Sequence, residues 1–449
     1  MNWDIKRVLR LCRHTLKVLI DRDVTLLAKK LLKREDGSFR SHASIDLLIG
    51  FGRIRNFVFV ACPQITREVL HYDASPKSIS SKFDRGWIAG IFDNELGETL
   101  FTATAPKHAL LRSCVSQYFR QNLDKRFGAN LFLRTNNLID SWLEKRAQPI
   151  NINSDLPFFT SRAIIDNFIG EIKNPLQLHE SMNLILRNME RQFKLKRSFP
   201  KNKMARARQV VKDVAEEAVL LESSTPSLLK LMAKLQDENA ESLFSTEDIA
   251  AMARFLFLAG QETVASVLPA LIYHCDEGYQ QKIRIEWNEE KRDINASEQV
   301  AHFATKSKWV QALINESLRL FPPAGALVRV ANEDVTIGEL AVPKNTALVL
   351  EVYFFQRDTV YWGEDAQEFR AERWLTSMKE ERQNMPFMPF GIGPNHCLGQ
   401  PFARLEMGIF LTLLALRVNW RALNKRYYPF YRFSLSSKED ILLALSTHI

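Results

Sequence analysis

Cysteine is scarce in this chain, with five in 449 residues. The five positions are odd in number and lie far apart: Cys12, Cys62, Cys114, Cys275 and Cys397. Small secreted proteins that depend on disulfides carry even numbers of closely spaced cysteines. The sequence therefore excludes a disulfide framework of that kind, and it predicts a reducing compartment such as the cytoplasm.

Long apolar runs, linkers and repeats are also missing. The sequence has no uninterrupted stretch of about 20 apolar residues, and its N-terminus lacks the apolar core and cleavage site of a signal peptide. We therefore expect no membrane-spanning segment. No linker rich in Pro, Gly or Ser, no low-complexity tract and no internal repeat divides the chain. A single, mainly helical domain over residues 1–449 is predicted.

Motifs of electron-transfer and nucleic-acid-binding proteins are lacking as well. The chain has no clustered cysteines for an iron–sulfur centre and no G-x-G-x-x-G fingerprint opening a βαβ unit, so we expect no fused reductase. The formal net charge is +9, but no recognition motif accompanies it, and nucleic acid is not expected as a partner.

One cysteine lies in a glycine-rich loop. Residues 390–399 read Phe-Gly-Ile-Gly-Pro-Asn-His-Cys-Leu-Gly, and an apolar segment follows. Such a loop offers one thiolate to one metal, with backbone N–H groups free to bond the sulfur, as at an axial ligand site of haem iron. Glycines such as Gly393 let the chain approach a flat macrocycle, and Phe390 supplies a ring near the sulfur. The alternatives for Cys397 are a buried free cysteine or a zinc ligand, although no second cysteine lies nearby.

The second informative stretch is apolar and covers residues 249–275. Ser245 and Asp248 form a variant capping box, which predicts a helix start there. Inside the stretch lies Ala-Gly-Gln-Glu-Thr at 259–263, and an acid beside a hydroxyl is costly to bury without a use. The pair Glu262 and Thr263 is therefore a catalytic candidate. In the structural alternative, Thr263 bonds the carbonyl of Ala259 and Glu262 is solvated.

Both stretches resemble motifs of the cytochrome P450 family. The loop resembles the family's haem-thiolate pattern F-x-x-G-x-x-x-C-x-G, and its continuation through Ala403 and Glu406 matches C-x-G-x-x-x-A-x-x-E. The run at 259–263 resembles the oxygen-activation motif [AG]-G-x-[DE]-T. The resemblance implies that Cys397 ligates the iron of haem b and that Glu262 and Thr263 relay protons.

A structural triad is also implied by the resemblance. Glu316 and Arg319 are three residues apart and share a helical face. Residues 369–374, Phe-Arg-Ala-Glu-Arg-Trp, resemble the family segment F-x-P-E-R-F, with Ala371 where proline is usual. We therefore expect Glu316, Arg319 and Arg373 to form a buried, non-catalytic cluster.

The haem propionates need basic partners. His108 and Arg112 are four residues apart after Pro106 and resemble the family's H-x-x-x-R clamp. Arg329 matches a further propionate-binding arginine on a following strand, and guanidinium donors suit carboxylates. Asn395 departs from the family pattern, which usually has Arg or His two residues before the cysteine.

The resemblance implies a fold, an activity and partners. The fold is a mainly α triangular prism with a small β-rich region, including strands within 50–70 and 335–350. The activity is a haem-thiolate monooxygenase that inserts one oxygen atom from O2 into an apolar small molecule. A peroxide-dependent peroxygenase is the first alternative, and a non-catalytic haem gas sensor or carrier is the second. Electrons come indirectly from NAD(P)H through a separate ferredoxin or flavodoxin and its reductase, docking where Arg120, Lys125, Arg126 and Arg404 are expected.

Two further interpretations concern surfaces. Residues 79–104 are expected to form a variable loop over the substrate pocket, and its apolar side chains are Trp87, Ile88, Ile91, Phe92 and Phe101. Basic residues gather within 194–208, and others are interleaved with apolar ones within 3–20. The second group suggests an amphipathic helix at a membrane surface, although such patches are usually solvated faces. We therefore expect a cytoplasmic protein with, at most, peripheral membrane contact.

Overall fold

The structure is a computed structural model, and it describes residues 32–33, 42–48, 54–71, 82–104, 106–193, 198–222, 225–237, 239–376, 385–431 and 434–447. Two compact units account for the chain. The first comprises Met1–Ile88, Ala324–Glu368 and Glu381–His396, and the second comprises Ala89–Pro323, Phe369–Glu380 and Cys397–Ile449.

Helices make up most of the described chain. In chain order they are α1 Pro63–Leu70, α2 Gly86–Leu96, α3 Lys107–Asn122, α4 Gly128–Glu144, α5 Ile152–Ile164, α6 Pro175–Phe193, α7 Lys201–Leu220, α8 Leu228–Lys234, α9 Thr246–His274, α10 Glu277–Glu289, α11 Ser297–Lys306, α12 Lys308–Leu320, α13 Val352–Phe355, α14 Thr359–Trp362, α15 Arg373–Thr376 and α16 Gln400–Arg417. The predicted mainly α class is confirmed.

The strands are short. They are β1 His42–Leu48, β2 Ile54–Val60, β3 Phe83–Asp84, β4 Ile150–Asn151, β5 Leu327–Ala331, β6 Val335–Ile337, β7 Leu340–Val342, β8 Ala347–Leu350, β9 Val418–Ala422, β10 Pro429–Tyr431, β11 Leu435–Ser437 and β12 Leu442–Thr447. The strands predicted within 335–350 are confirmed, and β2 lies within the range predicted for the early strands.

The first unit contains a five-stranded sheet in the order β1-β2-β8-β5-β3. Its strand β8 pairs in parallel with β2 and antiparallel with β5. All four residues of β8 are buried, as the uninterrupted apolar sequence Ala-Leu-Val-Leu requires. Side chains of β2, β5 and β8 and of helix α1 share one apolar core. This sheet holds Arg329, on β5, in a fixed position.

The second unit is mainly helical, and α16 runs through its core. Helix α16 begins directly after the cysteine loop, with Pro401 at its first turn, where a missing N–H costs nothing. Its residues from Leu405 to Ala415 are all buried, including the polar Glu406 and Thr412. Helices α4 and α11 pack on it. The cysteine therefore leads into one of the most buried helices of this unit.

Helix α9 begins as the sequence predicts. The Ser245 hydroxyl accepts from the Asp248 N–H, and the Asp248 carboxylate accepts from the Ser245 N–H, which completes the capping box. Among the described residues, α9 is the one helix long and apolar enough to cross a membrane. Two-thirds of its most apolar window is buried within the protein, which is typical of a core helix.

Candidate functional site

The loop before Cys397 depends on glycine. Gly391 and Gly393 have φ angles of +66° and +75°, which L residues with side chains rarely adopt. A Cβ on Gly393 would lie 2.1 Å from the carbonyl oxygen of Leu70, the last residue of α1. The His396 N–H donates to the Gly393 carbonyl at 3.0 Å and closes the turn. Phe390, Gly391 and Gly393 all belong to the first unit.

Cys397 opens the last stretch of the second unit and is accessible to solvent. Desolvation by the surrounding protein raises the pKa of its thiol, and backbone N–H bonds from Gly399 and Gln400 together with the charge of Arg112 lower that pKa. Desolvation has the largest effect, so the pKa of Cys397 lies above the ordinary value. The sulfur thus accepts backbone hydrogen bonds while the cysteine residue itself is exposed. A bound ferric iron would deprotonate such a thiol outright.

This donor set fits haem better than a bare metal. Among the described residues, no group of three or more His, Cys, Asp and Glu side chains is placed to hold a metal ion. Cys397 can therefore supply one protein ligand, while an iron carried in a porphyrin has four ring nitrogens of its own. The N–H donors from Gly399 and Gln400 match the hydrogen bonds that a ligating sulfur accepts.

His108 and Arg112 lie one turn apart on α3, and both are half-buried. Burial lowers the pKa of Arg112, and the nearby Cys397 raises it. The structure thus brings Arg112 to the cysteine, as a haem-binding role requires.

Arg329 lies in the first unit on β5. Its Nη1 donates to the Val328 carbonyl at 2.8 Å. Burial lowers the pKa of this guanidinium, and the charge of Asp84 raises it. A guanidinium held in such surroundings suits a carboxylate ligand, which is what a propionate offers.

The acid and alcohol candidates lie where α9 changes its winding. Residues Phe257–Glu262 form a π-helical segment between two α-helical parts, a feature frequently found at functional sites. Ala259 is exposed although Leu256, Phe257 and Leu258 before it are buried, and Thr263, one turn on, is half-buried. Thr263 Oγ1 donates to the Ala259 carbonyl at 2.7 Å, which is the bond of the structural alternative.

Gly260 faces a neighbouring helix. A Cβ at this position would lie 2.2 Å from Cδ1 of Ile164, at the end of α5. The glycine therefore allows α5 to pack closely against the π-helical segment. No sequence pattern near Gly260 signals this role.

Glu262 is half-buried and its Oε1 accepts a hydrogen bond of 2.8 Å from Ser434 Oγ. The carboxylate that the structural alternative leaves solvated is thus bonded by a protein hydroxyl and remains partly exposed. Ser434 directly precedes β11 and is 172 positions away in sequence. No local sequence signal indicates this contact.

The predicted triad of Glu316, Arg319 and Arg373 is confirmed. Arg319 donates to the Glu316 carboxylate at 2.8 and 2.9 Å, and Arg373 donates to it at 3.1 Å. The Trp374 indole N–H and the Arg370 backbone N–H also donate to this carboxylate. Burial raises the pKa of Glu316, but the bonds and charges of its partners outweigh it, so the pKa lies below the ordinary value.

The segment 79–104, expected to be a loop, contains a helix at its centre, and its described residues after that helix, 97–104, are loop and turn. Helix α2 occupies Gly86–Leu96, and the rings of Phe92 and Phe101 pack with centroids 4.7 Å apart. The side chains of Trp87, Ile88 and Ile91 lie outside the described part of the structure, as do residues 3–20 and 194–197.

Glu95, near the end of α2, is buried, and its carboxylate links α2 to two other helices. Its carboxylate accepts from Asn188 at 2.7 Å and Gln192 at 2.8 Å, both on α6, and from Arg208 of α7 at 2.7 Å. Arg254 of α9 donates to the carbonyl of the next residue, Leu96, at 2.9 Å. The segment is thus fastened to three helices.

The four basic residues proposed for partner docking divide into two pairs. Arg120 and Lys125 are exposed. Arg126 donates to the Tyr118 hydroxyl at 2.7 Å and to the Asp166 carbonyl at 3.1 Å.

Arg404 bonds two side chains of α12, Gln311 at 3.1 Å and Asn315 at 2.7 Å, and burial lowers its pKa to about 10. Arg126 and Arg404 are therefore engaged by other parts of the protein, whereas Arg120 and Lys125 are exposed.

Known proteins resemble this chain in sequence. The family model described as Cytochrome P450 matches residues 49–443. The chain is 32% identical to a cytokinin hydroxylase of Arabidopsis thaliana over 224 residues, which cover 49% of this chain and 42% of that protein. It is 31% identical to cytochrome P450 3A29 of Sus scrofa over 209 residues, covering 45% and 41%. The aligned regions thus span about two-fifths of these curated relatives.

Solved structures share the fold. The retinoic acid bound cyanobacterial CYP120A1 superimposes with a TM-score of 0.76 at 21% identity, covering 94% of this chain and 96% of that one. The cytochrome P450DA heme domain gives a TM-score of 0.74 at 17% identity, with 90% of each chain covered.

Proposed function

The chain belongs to the cytochrome P450 family, and on that premise we propose that it is a haem-thiolate monooxygenase formed by one haem domain over residues 1–449. The observation that carries the proposal is the surroundings of Cys397: an exposed cysteine just before a buried helix, with two backbone N–H donors to its sulfur and the charge of Arg112 nearby. Such a sulfur would suit ligation of haem iron. Haem b, when bound, would supply the iron centre at which dioxygen is reduced.

The protein's own residues would hold the cofactor. Cys397 would ligate the iron, and its N–H donors would orient the sulfur. His108, Arg112 and Arg329 would bind the propionates, while Phe390 and Gly393 shape the loop. Support for this set comes from the place of Arg112 beside Cys397 and from the half-buried guanidinium of Arg329 near Asp84.

Proton delivery is assigned to Glu262 and Thr263. The Thr263 hydroxyl donates its hydrogen to the Ala259 carbonyl, so the lone pairs of the hydroxyl oxygen can accept a proton from another group. The Glu262 carboxylate is adjacent in sequence and can take a proton up and release it. Delivery in the right order favours substrate oxidation over the loss of reducing equivalents as peroxide.

The substrate is proposed to be an apolar small molecule. Support comes from the packed rings of Phe92 and Phe101 in the segment assigned to the substrate pocket. The named ligand of the cyanobacterial relative, retinoic acid, is also largely apolar. Hydroxylation or epoxidation is the expected outcome, with one oxygen atom of O2 entering the product and the other leaving as water.

Electrons are proposed to come from NAD(P)H through a separate ferredoxin or flavodoxin and its reductase. Arg120, at the end of α3, and Lys125, just after it, are exposed and basic. An acidic donor would be attracted to them. The proposed location is cytoplasmic, and any peripheral membrane contact would involve residues 3–20, which lie outside the described residues.

The test is reconstitution. Purified haem-loaded protein is mixed with a ferredoxin and its reductase, and NAD(P)H consumption is measured against product with apolar candidates that shift the haem spectrum. Substrate-dependent consumption with oxygenated product supports a monooxygenase. Turnover with peroxide alone would favour a peroxygenase, and ligand binding without turnover under either condition would favour a sensor or carrier.

A further inference from the structure

We propose that Ser434 is a positioning residue for Glu262: its hydroxyl fixes the carboxylate that the proposed function uses for proton delivery. The inference rests on that proposed function and assigns a role to a residue outside the motif. The observation is the hydrogen bond of 2.8 Å from Ser434 Oγ to Glu262 Oε1.

Both partners lie on well-fixed parts of the second unit. Ser434 is 3% exposed, and the next residue, Leu435, donates its N–H to the Pro323 carbonyl at 3.1 Å. Strand β11 pairs with β10 and packs against the second part of α9. Glu262 ends the π-helical segment of that same helix. The Ser434 hydroxyl is therefore held next to the Glu262 carboxylate by a hairpin that packs on the same helix.

The chemistry of this contact suits a proton relay. A glutamate side chain has three rotatable bonds, so a half-buried carboxylate needs a partner to keep one orientation. A hydroxyl is a neutral donor, and it orients the carboxylate without adding a compensating positive charge. Ser434 bonds Oε1 and is one of the contacts of this carboxylate. The carboxylate can therefore still exchange a proton while its orientation is held.

The competing explanation is that the bond merely fastens the β10–β11 hairpin to α9. Ser437 provides a matched control for this explanation. It lies on the same hairpin, is also 3% exposed, and its hydroxyl donates to the Glu439 carbonyl instead of to α9. Removing either hydroxyl perturbs the hairpin, but only the loss of the hydroxyl at position 434 takes a hydrogen bond from the acid.

The experiment compares Ser434→Ala, Ser434→Thr and Ser437→Ala in the haem-loaded protein. Two quantities are measured: peroxide released per NAD(P)H consumed, and the infrared carboxylate band of Glu262, which is identified with isotope-labelled glutamate as the band lost in Glu262→Gln. We expect Ser434→Ala to shift the band and to raise peroxide release by roughly three- to tenfold, the range of one hydrogen bond. Ser434→Thr keeps the hydroxyl and should restore both, while Ser437→Ala should leave both unchanged.

A double-mutant comparison separates this inference from the proposed function. Ser434→Ala added to Glu262→Gln should release no more peroxide than Glu262→Gln alone, because both changes act through one carboxylate. If Glu262→Gln is fully coupled, the proton relay itself is refuted. If Glu262→Gln releases peroxide but Ser434→Ala changes neither peroxide release nor the infrared band, the role of Ser434 is refuted and the relay stands. The same conclusion follows if Ser437→Ala has the same effect as Ser434→Ala.

Discussion

Thr263 Oγ1 donates a hydrogen bond of 2.7 Å to the carbonyl oxygen of Ala259, one turn earlier in α9. This bond is compatible with a purely structural hydroxyl and also with one that is oriented for proton transfer. The two roles predict different effects of removing the hydroxyl. Only a hydroxyl that transfers protons affects whether electrons from NAD(P)H are used for substrate oxidation or are lost as peroxide.

Thr263→Ala should keep haem and ligand binding but divert reducing equivalents to peroxide, because the hydroxyl that receives the proton is gone. An increase of roughly tenfold or more in peroxide per NAD(P)H is expected, in line with the loss of a general acid–base group. Thr263→Ser keeps a hydroxyl and serves as the control. Full coupling in Thr263→Ala would reduce Thr263 to a helix-packing residue.

Glu316→Gln tests the buried triad and its charge. Both arginines lose a charged partner in a buried place, so the free energy of unfolding should fall by about 3 kcal/mol or more. The folded pKa of Glu316 lies below its ordinary value of 4.5. The stabilisation is therefore fully present above pH 4.5 and is lost as the pH falls through the lower folded value.

Urea unfolding of both proteins between neutral and acid pH measures this effect. The difference in stability between wild type and Glu316→Gln should shrink as the pH falls below 4.5. A difference that stays constant with pH would show that the carboxylate charge does not stabilise the triad.

Glu95→Ala tests the junction of α2 with α6 and α7. Asn188, Gln192 and Arg208 would each lose an acceptor, and we expect a loss of about 1–3 kcal/mol, moderated because Arg208 is partly exposed. Hydrogen exchange in α6 and α7 should accelerate. Asp93→Ala, at an exposed position of the same helix, is the control. Equal exchange in the two variants would mean that Glu95 does not fasten these helices.

Charge reversal at Arg120 or Lys125 should raise the apparent KM for an acidic ferredoxin and leave peroxide-driven turnover largely intact. Electrostatic steering also weakens with ionic strength, so donor-supported turnover should fall as salt is added. Lys425→Glu, at another exposed lysine, provides a charge-matched control. A KM that is indifferent to the reversals and to salt would place the docking surface elsewhere.

Much of what the sequence predicted follows from patterns of residues that are close together in the chain. The Ser245 capping box spans four residues, and the Glu316–Arg319 pair spans one helical turn, so their geometry follows from helix periodicity. The addition of Arg373 came from a family pattern, since 54 positions separate it from Arg319. Gly391 and Gly393 of the cysteine loop likewise have the positive φ angles for which glycine is suited.

Contacts between distant elements could not be predicted from the sequence. Ser434 meets Glu262 because a hairpin packs on α9, and nothing near either residue signals that packing. Glu95 likewise finds its partners 93 to 113 positions away. Arg126 and Arg404 carry charges typical of a surface, yet they are engaged inside the fold, and only the tertiary structure distinguishes them from Arg120.

Thiolate ligation by Cys397 is the central claim, and the spectrum of the reduced carbon monoxide complex tests it most directly. Wild type and Cys62→Ala should both show the strongly red-shifted Soret band that a thiolate ligand produces, and Cys397→Ala should lose it. A Cys397→Ala protein that retains the band would show that another residue holds the iron.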